Sequence, residues 1–294
     1  MIEAALVLEG GSLRSLYTAG VLDIFMEKNI EFSCVIGVSA GALTAANYIS
    51  KQKYRSAKIN ILHSGDPKYY GITQFLTKRN AFNFKYLFHE PINRIYPFDT
   101  KALSITKQRF LICATDCNTG KPVYFENISN YNIMTKFLQA SSSIPLLADM
   151  VNINGQSYLD GGISEPIGIK KAINEKYSKI VVVLTRDYDY VSSKSDILQL
   201  LFKIKYRHYP NLLKTLSNMD SNYNNLKNTI DSMQKNSDLF VIRPNKSITV
   251  SRIEKNPCKL VELYFQGRED AENNMIKMLE YLEWKDKKYE KQAE

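Results

Sequence analysis

The chain has 294 residues, of which 44% are hydrophobic and 23% are charged, and its formal net charge at pH 7 is +9. This composition is sufficient for a sizeable core, built as one large domain or as a domain with an extension. No apolar run reaches the roughly 18 residues that a membrane-spanning helix needs, so no such helix is expected.

The positive charge suits anionic partners, either nucleic acid or an anionic membrane surface, although lysine is also an ordinary solubilising surface residue. Many basic residues lie in the last third, around residues 203–208 and 285–288. The 19 tyrosines and 13 phenylalanines do not interleave with them in a nucleic-acid motif. We therefore expect no nucleic-acid partner.

The cysteines are scattered, and their spacing does not form a zinc-binding pattern. They are Cys34, Cys113, Cys117 and Cys258. This spacing favours buried free thiols in a reducing compartment, so the expected location is the cytoplasm, with any membrane contact peripheral.

The first predicted elements form a parallel β-α-β unit. Residues 4–8 are an apolar run without the basic segment that opens a signal peptide, so a core strand is predicted. A glycine-containing turn follows at residues 9–15, then a helix over residues 16–28 and a strand over residues 32–36. The turns after the two strands then lie at one edge of the sheet, where open α/β sheets bind ligands.

The second strand ends in Gly37-Val38-Ser39-Ala40-Gly41, and a helix of small residues follows. Strand, G-x-S-x-G and helix in this order are typical of a nucleophile elbow, which exposes the serine hydroxyl above the sheet. Gly37 and Gly41 let neighbouring backbone approach the turn, and the helix N-terminus favours negative charge beside Ser39. The alternative is an ordinary strand-to-helix turn with an idle serine.

The middle of the chain leads to a second motif. Residues 50–100 are rich in aromatic residues and predict short helices and loops, which either line an apolar substrate groove or simply pack as a cap. Strands at residues 110–116 and 122–125 and a helix at residues 133–140 follow. A hairpin at Asn154-Gly155 then leads directly to Asp160-Gly161-Gly162, before a strand at residues 179–185.

The last third of the chain predicts mostly helices. Residues 197–203 and 212–227 predict helices, and residues 238–243 predict a strand. Two amphipathic helices are predicted at residues 257–264 and 268–284, divided at Gly267. We expect a catalytic core over residues 1–188 and a mostly helical extension, packed on that core, over residues 189–294.

A serine nucleophile needs a base, and two kinds of candidate are present. His208 completes the Ser–Asp–His order of ordinary α/β-hydrolases with Ser39 and Asp160, but only one strand and one helix precede the elbow. We interpret His63, His89 and His208 as surface or packing residues. Asp160 is favoured because it ends a strand and because a dry site would raise its pKa from ~3.9.

The turn Gly10-Gly11-Ser12-Leu13-Arg14 offers successive backbone N–H groups at the start of a helix, an arrangement that binds anions. Arg14 adds a positive charge. A dinucleotide-binding loop would need further glycines, but positions 12 and 15 are serines, and no G-K-[ST] follows for a Walker loop.

Taken in order, the glycine turn, the elbow and the Asp160-Gly161-Gly162 motif resemble the patatin-like phospholipase family. The resemblance implies a three-layer α/β fold whose mainly parallel central sheet is flanked by helices. It implies that Ser39 is the nucleophile and that Asp160 completes a Ser–Asp dyad without histidine. The oxyanion hole that it implies comprises Gly10, Gly11, Ser12 and Arg14.

The chain departs from the family pattern in the glycine turn. Ser12 and Ser15 stand where glycines are usual, and Glu9 stands where an aspartate is usual. If position 12 requires a positive φ, a serine there adds about 1 kcal/mol of strain.

The sequence and this resemblance predict a serine-dependent lipid acyl hydrolase of the phospholipase A type. The expected substrate is a lipid ester, reached through peripheral contact with an anionic membrane, and no metal or cofactor is expected. The oligomeric state stays open. The alternatives are a non-catalytic lipid-binding protein on the same fold and a nucleotide-binding protein that uses Gly10 and Gly11.

Overall fold

The computed structural model of the protein describes residues 1–78, 80–89, 91–126 and 130–284. The basic cluster at residues 285–288 lies outside these ranges. Within them, eight strands form one sheet. In chain order they are β1 (Ile2–Leu8), β2 (Phe32–Val38), β3 (Arg109–Asp116), β4 (Pro122–Phe125), β5 (Val151–Ile153), β6 (Gln156–Asp160), β7 (Ile180–Val183) and β8 (Phe240–Ile242).

The strands lie in the order β5-β6-β3-β2-β1-β7-β8, and β4 pairs with β3. β3, β2, β1, β7 and β8 run parallel, whereas β4, β5 and β6 are antiparallel to their neighbours. The central strands are buried on both faces, which explains why they read as continuous apolar runs.

Helices cover both faces of the sheet. In chain order they are α1 (Leu16–Glu27), α2 (Ala40–Ile49), α3 (Arg55–Leu62), α4 (Ile72–Lys78), α5 (Phe84–Phe88), α6 (Ile92–Ile95), α7 (Thr100–Ile105), α8 (Tyr131–Ser141), α9 (Ile169–Asn174), α10 (Asp196–Lys205), α11 (Pro210–Ser217), α12 (Met219–Lys235) and α13 (Pro257–Tyr281). α1, α2, α8 and α13 pack on one face, and α9 and α12 pack on the other. The predicted three-layer α/β fold with a mainly parallel sheet is confirmed.

The register of the sheet brings the ends of β2 and β6 together. β2 ends at Val38, opposite Cys113, while β3 runs on beyond it. β4 occupies the other edge of β3 at Ala114 and Thr115, so β6 pairs with β3 on the edge that β2 has left. Asp160 therefore lies opposite Ala114, one position beyond the end of β2.

The region after residue 189 differs from its predicted elements at Gly267 and at Asn218. The sequence predicts a helix break at Gly267, but α13 is continuous through it. A Cβ on Gly267 would lie 2.0 Å from the carbonyl oxygen of Tyr17, and one on Gly20 would lie 2.1 Å from that of Tyr264. The two glycines let the backbones of α1 and α13 touch, so Gly267 serves close packing instead of ending the helix.

The prediction of a single helix at residues 212–227 is also wrong. α11 ends at Ser217 and α12 begins at Met219. Asn218 lies between them, and its side-chain amide donates to the carbonyl oxygen of Lys214. An asparagine that satisfies a terminal carbonyl in this way ends a helix more readily than it continues one.

In the part of the chain that the structure describes, no helix is long and apolar enough to cross a membrane. Cys34, Cys113 and Cys117 are buried free thiols, as expected, whereas Cys258 is exposed. Across the described ranges, no group of three or more His, Cys, Asp or Glu side chains could hold a metal ion.

Candidate active site

Ser39 lies at the turn between β2 and α2 with φ +54° and ψ −126°, a conformation that is strained for a residue with a side chain. Two close approaches hold this turn. A Cβ on Gly37 would lie 2.4 Å from Ala42 Cα, and one on Gly41 would lie 2.6 Å from the carbonyl oxygen of Leu8. The backbone N–H of Ser39 donates to Ser141 Oγ at 2.8 Å. The sequence predicted the two glycines but not Ser141.

The side chain of Asp160 is fixed against Ser39. Ser39 Oγ donates to Asp160 Oδ2 at 2.7 Å, and the N–H of Gly162 donates to Asp160 Oδ1 at 2.7 Å. The hydroxyl of Thr115 donates to the Asp160 carbonyl oxygen at 2.8 Å. Both carboxylate oxygens are therefore held, and Oδ2 is positioned to receive the Ser39 proton.

Burial controls the acidity of this carboxyl group. Asp160 is 7% exposed, and burial raises its pKa to about 6, because a charged carboxylate loses hydration inside the protein. The hydrogen bonds from Ser39 and Gly162 and the positive charge of Arg252 oppose this rise. Asp160 is thus a stronger base than an exposed aspartate and is still mostly ionised at neutral pH.

The glycine turn, residues 9–15, packs directly against the elbow. A Cβ on Gly10 would lie 3.0 Å from Ser39 Cβ. None of the described residues accepts a hydrogen bond from the backbone N–H groups of Gly11 and Ser12. These donors are therefore available beside the serine.

Ser12 adopts a strained backbone conformation with a positive φ. Its φ is +54°, in the region that favours glycine. Its hydroxyl donates to the carbonyl oxygen of Arg252 at 2.6 Å, which ties the glycine turn to a segment 240 residues later. Serine therefore supplies a contact that a glycine at this position would lack.

Glu9 is the first residue of the glycine turn, and its side chain holds that end in place. It is 2% exposed and accepts hydrogen bonds from the backbone N–H of Thr185 at 2.5 Å and from the hydroxyl of Tyr223 at 2.8 Å. Burial raises the pKa of Glu9, and these hydrogen bonds oppose that effect. The carboxylate joins the end of β1 to the residues after β7 and to α12.

Three arginines gather beside the glycine turn. Arg14 is buried, and none of the described residues accepts a hydrogen bond from its Nε. Burial, followed by the charges of Arg186 and Arg252, lowers the pKa of Arg14 to about 10. Arg14 stays cationic at neutral pH, and the mutual repulsion of the arginines would be relieved by a bound anion.

Ser39 opens onto two cavities, and three arginines lie in the lining of the second. The first, which we call the apolar cavity, is lined by Leu16, Leu43, Phe84, Phe88, Met134 and Leu138, among others, and its empty volume including the mouth is ≈ 930 Å³. The second, which we call the arginine cavity, is lined by Arg14, Arg186 and Arg252 together with Asp160 and Tyr223. Residues 50–100 thus contribute to the wall of an apolar groove, one of the two roles expected for them.

The histidines lie apart from this site. His208 is exposed, and its Nε2 is 3.0 Å from Arg207 Nε. His63 Nδ1 lies 3.3 Å from the hydroxyl oxygen of Tyr86. The backbone N–H of His89 donates a hydrogen bond to the carbonyl oxygen of Lys85. Among the described residues, no histidine hydrogen-bonds to Ser39 or Asp160, so the Ser–Asp–His arrangement is not formed.

Sequence comparison identifies relatives of this site and fold. A family model described as patatin-like phospholipase matches residues 6–173, and a model described as a domain of unknown function (DUF6363) matches residues 209–283. The uncharacterized protein YjjU of Escherichia coli (strain K12) is 31% identical over 185 residues, which are 62% of this chain and 51% of YjjU. The chain thus spans about half the length of that relative.

Among solved structures, VipD from Legionella pneumophila is similar with a TM-score of 0.44 and 12% sequence identity. The match covers 93% of this chain and 66% of VipD. The family match over residues 6–173 takes in more than half of the chain and contains the glycine turn, the elbow and Asp160. The chain belongs to the patatin-like phospholipase family.

Proposed function

We propose that the protein is a serine-dependent acyl hydrolase that cleaves carboxylic ester bonds of lipids through a Ser39–Asp160 dyad. The 2.7 Å hydrogen bond from Ser39 Oγ to Asp160 Oδ2, at the junction of two cavities, carries this proposal. Membership of the family supports lipid acyl hydrolysis in general. The dyad, the order of steps and the roles of individual residues are our proposal.

In the first half of the reaction, Ser39 Oγ attacks the ester carbonyl carbon while Asp160 Oδ2 takes the hydroxyl proton. The carbonyl oxygen becomes an oxyanion, which accepts hydrogen bonds from the free N–H groups of Gly11 and Ser12. The tetrahedral intermediate then collapses, and the proton on Asp160 passes to the departing alcohol oxygen. The products are a free alcohol and an acyl ester of Ser39.

In the second half, water replaces the alcohol. Asp160 accepts a proton from the water as its oxygen attacks the acyl carbon, and the same N–H groups hold the second oxyanion. Collapse releases the carboxylic acid and returns the proton to Ser39 Oγ. The raised pKa of Asp160, to about 6, suits a group that both accepts and returns a proton near neutral pH.

The two cavities suggest how a lipid ester is oriented. The apolar cavity accommodates the acyl chain, and the arginine cavity accommodates an alcohol that carries negative charge, with Arg14, Arg186 and Arg252 as its cationic lining. We further propose peripheral contact with an anionic membrane, which the net charge of +9 favours. The division into a core of residues 1–188 and an extension of residues 189–294 stays a prediction. The extension supplies strand β8 to the sheet, and its helix α13 packs on one face of that sheet.

A serine-directed fluorophosphonate tests the assignment directly. We expect the probe to label the wild-type protein at Ser39 alone, and we expect release of fatty acid from phospholipid that Ser39→Ala abolishes while the circular dichroism spectrum is unchanged. Labelling at another serine, or full hydrolysis by Ser39→Ala, would refute the nucleophile. Phospholipid binding with neither labelling nor hydrolysis would instead identify a non-catalytic lipid-binding protein.

A further inference from the structure

Helix α10 presents an apolar stripe to solvent. Ile197, Leu200, Leu201 and Ile204 follow the i, i+3, i+4, i+7 spacing that places side chains on one face of a helix. These side chains are between 43% and 74% exposed. A contiguous exposed row of large aliphatic residues is unusual on a protein surface and marks a site of contact with another apolar phase.

The opposite side of α10 belongs to the proposed active site. Phe202 is 5% exposed, and Phe202 and Leu198 line the arginine cavity together with Ser39 and Arg14. Phe202 also packs with Leu212 and the other members of a small apolar cluster, which anchors the helix. One face of α10 is therefore a wall of the cavity, while the other has no cover within the described residues.

Positive charge flanks the apolar stripe. Lys203 and Lys205 lie in the last turn of α10, and both are exposed. Neither forms an ion pair with any residue that the structure describes. The exposed Lys194 precedes the helix and Arg207 follows it, and the one acidic residue of α10 is Asp196.

We propose that α10 docks on an anionic lipid surface, with its apolar stripe in the interfacial layer and Lys203 and Lys205 against acidic head groups. A helix with an apolar face and flanking lysines is suited to lie in the plane of such an interface. Because Leu198 and Phe202 form the cavity wall on the inner side, docking holds the cavity beside the lipid. This inference rests on the proposed function, since it identifies the surface through which that site reaches lipid substrates.

The charges favour a membrane over a second copy of this chain. In a two-fold symmetric pair the same patch lies on both partners, so α10 would face α10. Each patch carries a net positive charge, because Asp196 is the one acidic residue of α10 while four basic residues lie on or beside the helix. Such a pair would therefore bring like net charges together whichever way the two helices run. An anionic lipid surface supplies the opposite charge along with the apolar layer.

Vesicle flotation of the 294-residue chain, with Ser39→Ala present to prevent hydrolysis, tests this surface. The stripe variant carries Ile197→Gln, Leu200→Gln, Leu201→Gln and Ile204→Gln. A matched control removes exposed aliphatic side chains elsewhere, through Leu62→Gln, Leu76→Gln, Ile95→Gln and Ile105→Gln. We expect the stripe variant to bind vesicles of phosphatidylcholine and phosphatidylglycerol at least about tenfold more weakly, a loss of about 1.4 kcal/mol, and the control to bind as the parent does.

A second measurement does not depend on the multiple substitution. The chain has one tryptophan, Trp284, so Leu200→Trp in a Trp284→Phe background places the sole indole on the stripe. Its fluorescence should shift to shorter wavelength when mixed vesicles are added, and the shift should weaken with added salt. Leu62→Trp in the same background should show no shift.

Hydrolysis of a soluble short-chain ester separates this inference from the proposed function. If α10 is the docking surface, the stripe variant without Ser39→Ala retains this hydrolysis while its rate on mixed vesicles falls. Vesicle binding that depends on the stripe, in a protein that hydrolyses no ester, would support the docking surface and refute the proposed function. Equal vesicle binding by the stripe variant and its parent, or a dimer that the stripe variant dissociates without any loss of vesicle binding, would overturn the docking surface.

Discussion

The substitution Asp160→Asn should remove activity and stabilise the folded protein. Asparagine has the shape of aspartate, so its side-chain oxygen can accept from the Gly162 N–H while its NH₂ group donates to Ser39 Oγ. The variant therefore keeps both contacts but loses the proton acceptor. The variant also lacks the buried negative charge, which loses its hydration when the protein folds.

The size of the stabilisation follows from the pKa. An exposed aspartate has a pKa of ~3.9, whereas burial raises that of Asp160 to about 6. At about 1.4 kcal/mol per pKa unit, ionised Asp160 costs the folded state about 3 kcal/mol. Below pH ~4 the group is protonated in both folded and unfolded chains, so this cost is absent. The free-energy cost grows as the pH rises from about 4 to about 6, between the pKa values of the unfolded and folded chains, and is then constant.

Urea unfolding of both proteins between about pH 4 and pH 8 measures this cost. The variant should gain stability over wild type as the pH rises, by up to about 3 kcal/mol at pH 8. Asp149→Asn, at an exposed aspartate, is the matched control and should show no such trend. A variant less stable than wild type at pH 8, or an advantage that does not shrink towards pH 4, would refute the assignment of a costly buried charge.

Three further measurements test the site. The kcat/KM of the wild type should fall about tenfold per pH unit below about pH 6, because protonated Asp160 cannot accept the Ser39 proton; a flat profile there would contradict the base. His208→Ala should hydrolyse ester at nearly the wild-type rate, since His208 is exposed and bonded to Arg207, and a large loss in a folded variant would revive a histidine base. Ser12→Gly relieves about 1 kcal/mol of strain and loses a hydrogen bond worth about 1 kcal/mol, so kcat/KM should stay within about tenfold of wild type. A greater loss would make the serine hydroxyl a positioning group.

The parts that the sequence predicts well are those with local physical causes. The apolar runs that became β1, β2 and β3 need no partner information, because a strand buried on both faces is apolar throughout. The elbow at Ser39 also has a local cause. Gly37 and Gly41 are needed because a side chain there would collide with the backbone of α2 or with the end of β1.

The features of the fold that the sequence does not predict depend on contacts between residues far apart in the chain. Glycine weakens a helix by about 1 kcal/mol, so the sequence alone predicts a break at Gly267. The reason for that glycine lies in Tyr17, whose carbonyl oxygen leaves no room for a side chain. Arg252 was missed for a similar reason, because an exposed arginine in an irregular segment carries no sign that its carbonyl meets Ser12.

The glycine turn shows how a departure from the family pattern is accommodated. Ser12 keeps the positive φ that the position requires and uses its hydroxyl to hold the carbonyl of Arg252, while Glu9 is bonded to Thr185 and Tyr223. Glu9 and Ser12 are thus held by residues at positions 185, 223 and 252, which lie beyond the segment that the family model matches. In the proposed mechanism the free N–H groups of this turn stabilise the oxyanion, so their positions depend on the C-terminal region as well as on the segment matched by the family model. Serine at position 12 is therefore a link between the two regions and not merely a strained substitute for glycine.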